Sequence, residues 1–317
     1  MDYLVVVLLQ KSGMNITKNK KNLNPLFIGF GNQALEYANV LRFLNIRISG
    51  VCITDLKKNI KNLKKYNVEN VYLSINKAIK EKKFNSVFVF LPWNIIEKKI
   101  IFILKNTNKR IFCEKPIALS YKNLLKIEKL SRIYNKNLFI LYNRRYFKII
   151  SYLKKRIYNQ DSFEVVIPEK RSFIINNIDK NLDGYIKFHL TSHWIDFFMF
   201  LFQKKKIFKV KNFDYISEIH FKNRSKKSII RIIYDGQGRI DGKLHINRKE
   251  YKIKTLEKLF IKTKDKKEKI LINEKKLNKF KPGVLNLIND IISNGKTKLP
   301  RPQDLKNMYK FLEKLPY

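Results

Sequence analysis

The sequence predicts an α/β protein in which a doubly wound parallel sheet is followed by an α+β domain with a mainly antiparallel open sheet. Two observations support this fold class. From residue 25 to about residue 143, short apolar runs alternate with helical patterns, as they do in repeated β-α units. Beyond residue 207, apolar and polar positions alternate, which favours antiparallel strands. We therefore predict one domain over residues 25–143 and a second over residues 144–317.

The first 24 residues are predicted to form a polar, lysine-rich extension, within which Met14 is an alternative start. The apolar run from Leu4 to Leu9 is too short to span a bilayer, and it follows an aspartate instead of a basic segment. The sequence therefore predicts neither a signal peptide nor a membrane anchor. Cys52 and Cys113 fall in predicted buried strands, outside any metal-ligand spacing. Their placement favours a reducing cytoplasm.

The composition indicates a folded protein with an unusually high charge. Apolar residues make up 44% of the 317 positions, which excludes a disordered chain. The net charge is +42, from 68 Lys plus Arg against 26 Asp plus Glu, and such charge is typical of nucleic-acid-binding proteins. However, lysine is enriched along the whole chain together with asparagine and isoleucine, whose codons are rich in A and T. A biased base composition explains this pattern, so we expect no specific nucleic-acid partner.

A glycine-rich turn joins the first predicted strand, residues 26–28, to the first helix. Its sequence, GFGNQA at residues 29–34, has the form G-x-G-x-x-A. In this form the first glycine allows a tight turn, the second lets a pyrophosphate approach the backbone, and the small third residue lets the helix pack on the strand. The helix amides then bind phosphate. The pattern predicts a Rossmann-type dinucleotide site at Gly29, Gly31, Asn32, Gln33 and Ala34.

The second predicted strand, residues 46–53, ends at Thr54 and Asp55. An acidic side chain at this point binds the ribose hydroxyls of a dinucleotide, and it favours NAD over NADP. The alternative is that Asp55 only caps the lysine-rich helix that follows.

The β-α alternation continues to the end of the first domain. The further predicted elements are helix 56–66, a strand near Val71, helix 75–82, strand 86–91, helix 95–107, strand 109–113, helix 120–135 and strand 138–142.

The strand at 109–113 ends in Glu114, Lys115 and Pro116. Open parallel sheets bind ligands at the carboxyl ends of their strands. Pro116 restricts Lys115 to an extended backbone, so the direction of the lysine is fixed. A lysine that is desolvated in a crevice has a lowered pKa and can exchange protons. The alternative is an ordinary exposed Glu-Lys pair before a turn.

The second domain is predicted to begin with a helix that ends near Tyr158. A long apolar helix over residues 187–202 carries His189 and His193, four residues apart and therefore on one face. Neutral imidazoles in this spacing can share a metal ion, but no third ligand stands nearby, so we predict no metal site. A purely structural role for His193 is another alternative. The remaining predicted elements are strand 163–167, a sheet within 207–272, and helices 284–293 and 304–315.

Taken in order, these segments resemble the Gfo/Idh/MocA family of oxidoreductases, named for glucose-fructose oxidoreductase and inositol dehydrogenase. The resemblance covers about residues 25–317. The matching segments are GFGNQA, the acidic residue after strand two, NSVFVFLPWN, FCEKP, YNRRY and HLTSHWIDFFMFLF. The carboxyl-terminal segment that starts at FKPGVLNL resembles members that act on sugars in polysaccharide biosynthesis.

The resemblance implies an NAD-dependent enzyme that moves a hydride between nicotinamide and a secondary alcohol or ketone of a sugar or nucleotide sugar. It implies catalytic positions at Lys115, His189 and His193, of which Lys115 and His193 contact the same substrate hydroxyl. It also implies a homodimer or homotetramer that forms through the second sheet. Further implied cofactor-binding residues are Leu91, Pro92, Asn94, Glu114 and Lys115, and implied substrate-binding residues are Tyr142, Asn143, Arg145 and His193.

The sequence departs from the family pattern at two positions. The family usually has an aspartate where this chain has His189, and a histidine where it has Ile96. A histidine lacks the negative charge that holds a neighbouring lysine protonated, so we predict activity that leans alkaline and depends on titration of His189 in the ordinary histidine range. The departure leaves open a protein that keeps the fold but acts as a dinucleotide-binding or regulatory partner.

Overall fold

The computed structural model describes residues 23–316, except 82, 136, 159–160, 170–171, 173–183, 204–205, 224–225, 264, 266, 278 and 294–296. The predictions for residues 1–22 therefore lie outside the described residues. Within the described ranges, no helix is both long and apolar enough to cross a membrane.

The first part of the chain forms a parallel sheet in the order β3-β2-β1-β4-β5-β6. Its strands are β1 (Pro25–Ile28), β2 (Gly50–Cys52), β3 (Val71–Tyr72), β4 (Ser86–Val89), β5 (Arg110–Cys113) and β6 (Leu138–Ile140). The connecting helices are α1 (Asn32–Phe43), α2 (Leu56–Lys65), α3 (Ile75–Lys80), α4 (Trp93–Asn106) and α5 (Tyr121–Tyr134). The predicted doubly wound sheet is confirmed, and its strand order changes direction between β1 and β4, where such sheets bind ligands.

A row of phenylalanines fixes the register of the central strands. Phe27, Phe88, Phe112 and Phe139 occupy paired positions on β1, β4, β5 and β6. Their ring centroids lie 5.5, 4.9 and 5.6 Å apart in that order, within the range for favourable aromatic pairs. Because the register has no slip along this row, the carboxyl ends of β1, β4 and β5 lie side by side.

The second part of the chain forms a sheet in the order β14-β13-β12-β11-β7-β10-β9-β8. Its β7 and β10 pair in parallel and its other neighbours are antiparallel, so the predicted mainly antiparallel sheet is confirmed. The strands are β7 (Ser162–Glu169), β8 (Lys206–Asn212), β9 (Ile216–Asn223), β10 (Lys226–Tyr234), β11 (Asp241–Ile246), β12 (Lys249–Lys254), β13 (Lys258–Lys262) and β14 (Glu268–Asn273). The helices are α6 (Lys148–Lys154), α7 (Ile186–His189), α8 (Thr191–Leu201), α9 (Glu274–Leu277), α10 (Val284–Ile292) and α11 (Lys306–Leu312), with 3-10 turns at Asn143–Tyr146 and Pro302–Leu305.

Two predicted helices are broken in the structure. The predicted helix that ends near Tyr158 is the 3-10 turn at Asn143–Tyr146 followed by the short α6. The predicted helix 187–202 is interrupted at Leu190, which separates α7 from α8. At this break the His193 amide donates to the Leu190 carbonyl at 3.0 Å. The carbonyl of His189 is thereby left to accept a hydrogen bond from outside the helix.

The carboxyl-terminal segment returns to the first sheet. Helix α10 packs against α1 in one apolar core, which includes Leu287 and Ile288 of α10 and Ala38 and Leu41 of α1. Beyond it, the Pro300 carbonyl accepts from the Ile140 amide of β6 at 2.9 Å. Residues after 280 therefore help to form the first domain's core, and they bring the segment before α10 to the ligand-binding edge of the parallel sheet.

Candidate active site

A cleft of about 1170 Å³ follows the carboxyl ends of β1, β2, β4 and β5. Its floor includes the glycine turn and the residues that follow each of these strands. Residues from later in the chain complete the wall. These are Asn143, His189, His193 and Lys281. The cleft thus lies where the sequence predicts a dinucleotide.

The two glycines of the turn have different local requirements. Gly29 has a φ of +90°, and a side chain there would collide with the carbonyl oxygen of Phe90, so only glycine fits. At Gly31 no described atom lies within 4 Å of the position of an added Cβ. Gly31 lines the cleft and precedes α1, whose first turn has no side-chain cap among the described residues. This combination leaves space and free helix amides for a phosphate.

Other predicted cofactor residues divide into those that line the cleft and those that support it. Asn32 and Gln33 line the cleft beside Gly31, whereas Ala34 is fully buried and packs α1 on the sheet, as the motif predicts. Leu91 and Pro92 line the cleft. Asn94 is not among the lining residues, although Trp93 and Ile95 on either side of it in α4 are.

Asp55 lies three residues after β2, at the N-cap of α2, and lines the cleft. Its Oδ1 accepts a hydrogen bond from the Lys58 amide at 3.0 Å, so it also caps α2. Both alternatives from the sequence are thus compatible with one placement. Its contact with a ribose stays a prediction.

Glu114 and Lys115 follow β5 and form part of the cleft wall, not an exposed turn. The Glu114 amide donates to the Val89 carbonyl at 2.9 Å, which extends the sheet by one position. The peptide bond between Lys115 and Pro116 is cis. The Lys115 Nζ donates to the main-chain carbonyl of His189 at 2.6 Å. The break before α8 therefore supplies the acceptor that holds the lysine.

The electrostatic surroundings favour a lysine that titrates near neutrality. Burial lowers the pKa of Lys115 to about 7, Glu114 opposes the shift, and the cations Arg144 and Lys281 add to it. Burial also raises the pKa of Glu114, against the opposing effects of Lys115 and Lys281. A lysine with such a pKa can both donate and accept a proton near pH 7.

The two histidines contact aromatic side chains and are neutral. The His189 ring stacks on Trp93 with centroids 5.1 Å apart, and the His193 ring meets the edge of Tyr142 at 5.5 Å. Burial, then the charge of Lys115, lowers the pKa of His189 to about 3 and the pKa of His193 well below its ordinary value. The prediction that His189 titrates in the ordinary histidine range is therefore wrong.

Both histidines line the cleft together with Lys115. Their Nδ1 atoms are buried and have no hydrogen-bond partner among the described residues. Over the same ranges, His, Cys, Asp and Glu side chains form no group of three or more that could hold a metal ion.

The predicted substrate residues do not all reach the cleft. Asn143 lines it, and its side chain also donates to the Pro282 carbonyl at 3.0 Å. Tyr142 is fully buried beneath His193 and is not a lining residue. Arg145 is also absent from the lining, because its Nε donates to the buried carboxylate of Asp196 at 2.9 Å. Neither Tyr142 nor Arg145 lines the cleft, and their contacts with a substrate stay predictions.

Arg145 pairs with Asp196 because the aspartate is buried. Asp196 lies on α8 and is only 2% exposed, and a buried carboxylate needs a charged partner. Arg145 also donates from Nη1 to the Lys298 carbonyl at 2.9 Å. It therefore joins the 3-10 turn, α8 and the carboxyl-terminal segment, and it holds the helix that carries His193.

Sequence reasoning missed three side chains near Lys115. Trp93 supports the His189 ring. Arg144 stacks on Trp194, with its guanidinium carbon 3.5 Å from the ring centroid, and its buried Nη1 has no hydrogen-bond partner in the described ranges. Lys281 lines the cleft from the far end of the chain. Trp93 lies within the motif NSVFVFLPWN, so a role in the site could be predicted from the sequence. Lys281 has no local signature that distinguishes it among 68 Lys plus Arg.

Comparison with known proteins agrees with this architecture. Residues 23–142 match the family model GFO_IDH_MocA, an oxidoreductase family with an NAD-binding Rossmann fold. Among curated proteins, none matches the sequence.

Solved structures match nearly the whole chain. A dehydrogenase (MviM) from Clostridium difficile is 19% identical, with a TM-score of 0.76 over 93% of this chain and 98% of its own. An oxidoreductase from Agrobacterium radiobacter, in complex with NAD+, L-tartaric acid and magnesium, is 13% identical, with a TM-score of 0.71 over 92% and 95%. The UDP-N-acetylglucosamine 3-dehydrogenase GnnA from Acidithiobacillus ferrooxidans is 11% identical, with a TM-score of 0.69 over 93% and 96%.

At these identities the structural likeness shows a shared fold, and the family match adds the NAD-binding domain. The amino-terminal domain, residues 23–142, thus matches the NAD-binding domain of the Gfo/Idh/MocA oxidoreductases.

Proposed function

We propose that this protein is an NAD-dependent oxidoreductase that interconverts a secondary alcohol and a ketone on a sugar or nucleotide sugar. The observation that carries the proposal is the environment of Lys115. This lysine has a pKa of about 7 and lies in a cleft beside two neutral histidines. The sugar class rests on the family resemblance and on the neighbour that acts on UDP-N-acetylglucosamine. A place in polysaccharide biosynthesis, a cytoplasmic location and a homodimer or homotetramer through the second sheet stay predictions.

The residues of the cleft suit a dinucleotide. Gly31 leaves open space at the start of α1, where the amides of Asn32 and Gln33 would bind the pyrophosphate. Asp55 would bind the adenosine ribose at the end of β2.

The proposed division of labour follows from the positions of the side chains. When bound, the nicotinamide supplies or accepts the hydride. Lys115 accepts the hydroxyl proton during oxidation and returns it during reduction. His193 is neutral, with an unpartnered Nδ1 in the described structure, so it can hold the same hydroxyl by a hydrogen bond. His189 contributes its carbonyl, which orients the Lys115 ammonium.

The proposal is tested with purified protein in two steps. First, NADH is titrated while its fluorescence is recorded, and saturable binding is expected. Second, sugars and nucleotide sugars are screened for a change in absorbance at the nicotinamide band. Hydride transfer with at least one of them supports the enzyme. NADH binding without transfer to any of them favours a dinucleotide-binding or regulatory protein, and absence of NADH binding rejects both.

The pKa of Lys115 predicts opposite pH profiles for the two directions. Oxidation needs a neutral lysine that can accept a proton, so kcat/KM should rise as the pH increases through about 7. Reduction needs the protonated lysine, so kcat/KM should fall over the same range. The measurement is kcat/KM in both directions across the pH range on either side of this pKa. Parallel profiles for the two directions would remove Lys115 from the proton transfer.

Position 189 provides a matched test of that profile. His189→Asp places a carboxylate near Lys115, which favours the charged lysine and raises its pKa. The midpoint of both profiles should then move to higher pH. His189→Asn adds no charge and should leave the midpoint near its original value. Because the contact to Lys115 uses the main chain at position 189, both variants retain it. Equal midpoints in the two variants would contradict the electrostatic argument.

The two roles of Asp55, in the choice of cofactor and in the cap of α2, can be separated by mutation. Asp55→Asn keeps a side-chain oxygen for the cap of α2 but removes the charge, so thermal stability should stay near that of the wild type. Its NADH affinity should fall by about tenfold, and its preference for NADH over NADPH should shrink. Asp55→Ala should lose the same affinity and about 1 kcal/mol of stability as well. A wild-type protein that prefers NADPH would contradict the assigned role of Asp55.

A further inference from the structure

The segment before α10 is fixed against the first domain by three contacts. The Phe280 ring packs on Phe43 of α1, with centroids 5.1 Å apart. The Pro282 carbonyl accepts from the Asn143 side chain at 3.0 Å. Gly283 has a φ of +83°, and a side chain there would collide with the carbonyl oxygen of Asn143. The backbone around Lys281 is therefore set by packing, and the direction of its side chain follows from it.

Lys281 reaches the glycine turn from this segment. Its Nζ donates to Oε1 of Gln33 at 2.5 Å, and Gln33 is the second residue of α1, directly after Gly31 and Asn32. The side chain lines the cleft. Among the described residues, no carboxylate forms an ion pair with it. In the part of the chain that the structure describes, a cation thus lies next to the start of a helix with a neutral amide as its hydrogen-bond partner.

The charge of Lys281 also acts at the inner end of the cleft, where Lys115 lies. Burial is the main reason that the pKa of Lys115 is lowered, and Lys281 adds to that effect. Lys115 and Lys281 both line the cleft, and Arg144 lies close enough to add its positive charge at Lys115. Glu114 is the one carboxylate that lines this inner end among the described residues. A bound anion would offset the mutual repulsion of these cations.

We propose that Lys281 binds the pyrophosphate of the dinucleotide, so that the carboxyl-terminal segment supplies a cation to a site otherwise built by the first domain. The inference rests on the proposed function, because it needs a dinucleotide in the cleft. The contact with Gln33 favours the pyrophosphate over an anionic group on the substrate, since Gln33 adjoins the helix amides that bind phosphate. A lysine beside those amides would donate a further, charge-assisted hydrogen bond to the phosphate.

The test compares ligands that differ in their phosphates. Affinities for ADP-ribose, ADP and adenosine are measured by calorimetry with the wild type, Lys281→Met and Lys281→Arg. The control is Lys279→Met, which removes an exposed lysine two residues away. Lys281→Met should weaken ADP-ribose and ADP by about tenfold or more and change adenosine affinity less than about twofold. Lys281→Arg, which retains the charge, should restore most of the affinity.

Several outcomes would overturn the inference alone. These are wild-type ADP-ribose affinity in Lys281→Met, an equal loss for adenosine, or an equal loss in Lys279→Met. A raised KM for the substrate with unchanged ADP-ribose affinity would also overturn it, because the anion would then belong to the substrate. Failure of the wild type to bind either NADH or ADP-ribose would instead overturn the proposed function together with the inference.

Discussion

Replacement of Lys115 by methionine should lower kcat by about 10²-fold or more, the usual scale for loss of a general acid or base. The variant keeps the length and apolar stem of the side chain and removes the group that exchanges the proton. It also loses the hydrogen bond to the His189 carbonyl, which should cost about 1 kcal/mol of stability. NADH affinity should stay near the wild-type value, because the methionine still fills the wall of the cleft.

The measurements are kcat, KM and the NADH dissociation constant for a substrate that the wild type turns over. Lys122→Met, which removes an exposed lysine from α5, serves as the control and should leave all three unchanged. A fall in kcat with an unchanged KM would assign Lys115 to the transition state. Retained turnover in Lys115→Met would move the proton transfer to another residue.

The parts of this site that could be predicted from sequence are set by local chain geometry. The GFGNQA turn requires glycine at its first position, and the structure gives Gly29 a positive φ and a close backbone neighbour. Lys115 is predictable because a strand end followed by proline fixes the direction of the chain over two or three residues. Such features depend on neighbours in sequence, so they can be read without knowledge of the tertiary structure.

The parts that could not be predicted depend on contacts between distant segments. Arg145 has the residue type and position of a substrate ligand, but Asp196 on α8 engages it. The apolar pattern of residues 187–202 runs unbroken through Leu190, so nothing local indicates that the His189 carbonyl is released to Lys115. Lys281 reaches the glycine turn only because α10 packs on α1.

Gly31→Val should abolish detectable NADH binding, with a dissociation constant raised by about 100-fold or more, which corresponds to at least roughly 2.7 kcal/mol. A side chain at Gly31 meets no described protein atom within 4 Å, so it projects into the space where the pyrophosphate would lie. The fold should tolerate it, because Gly31 has a φ of −83°. The loss of a favourable N-cap residue should cost about 1 kcal/mol, a shift of only a few degrees in Tm for a chain of this size.

Gly29→Val is the matched comparison in the same turn. It should fail because the fold is damaged, whereas Gly31→Val should fold and lose only NADH binding. Its side chain would be forced into a positive φ and against the Phe90 carbonyl, so it should lower Tm and solubility before any effect on ligands can be measured. Circular dichroism and NADH fluorescence titration of the two variants separate the cases. A folded Gly31→Val protein that binds NADH as the wild type does would exclude the glycine turn as the phosphate site, and the dinucleotide would then have to bind elsewhere.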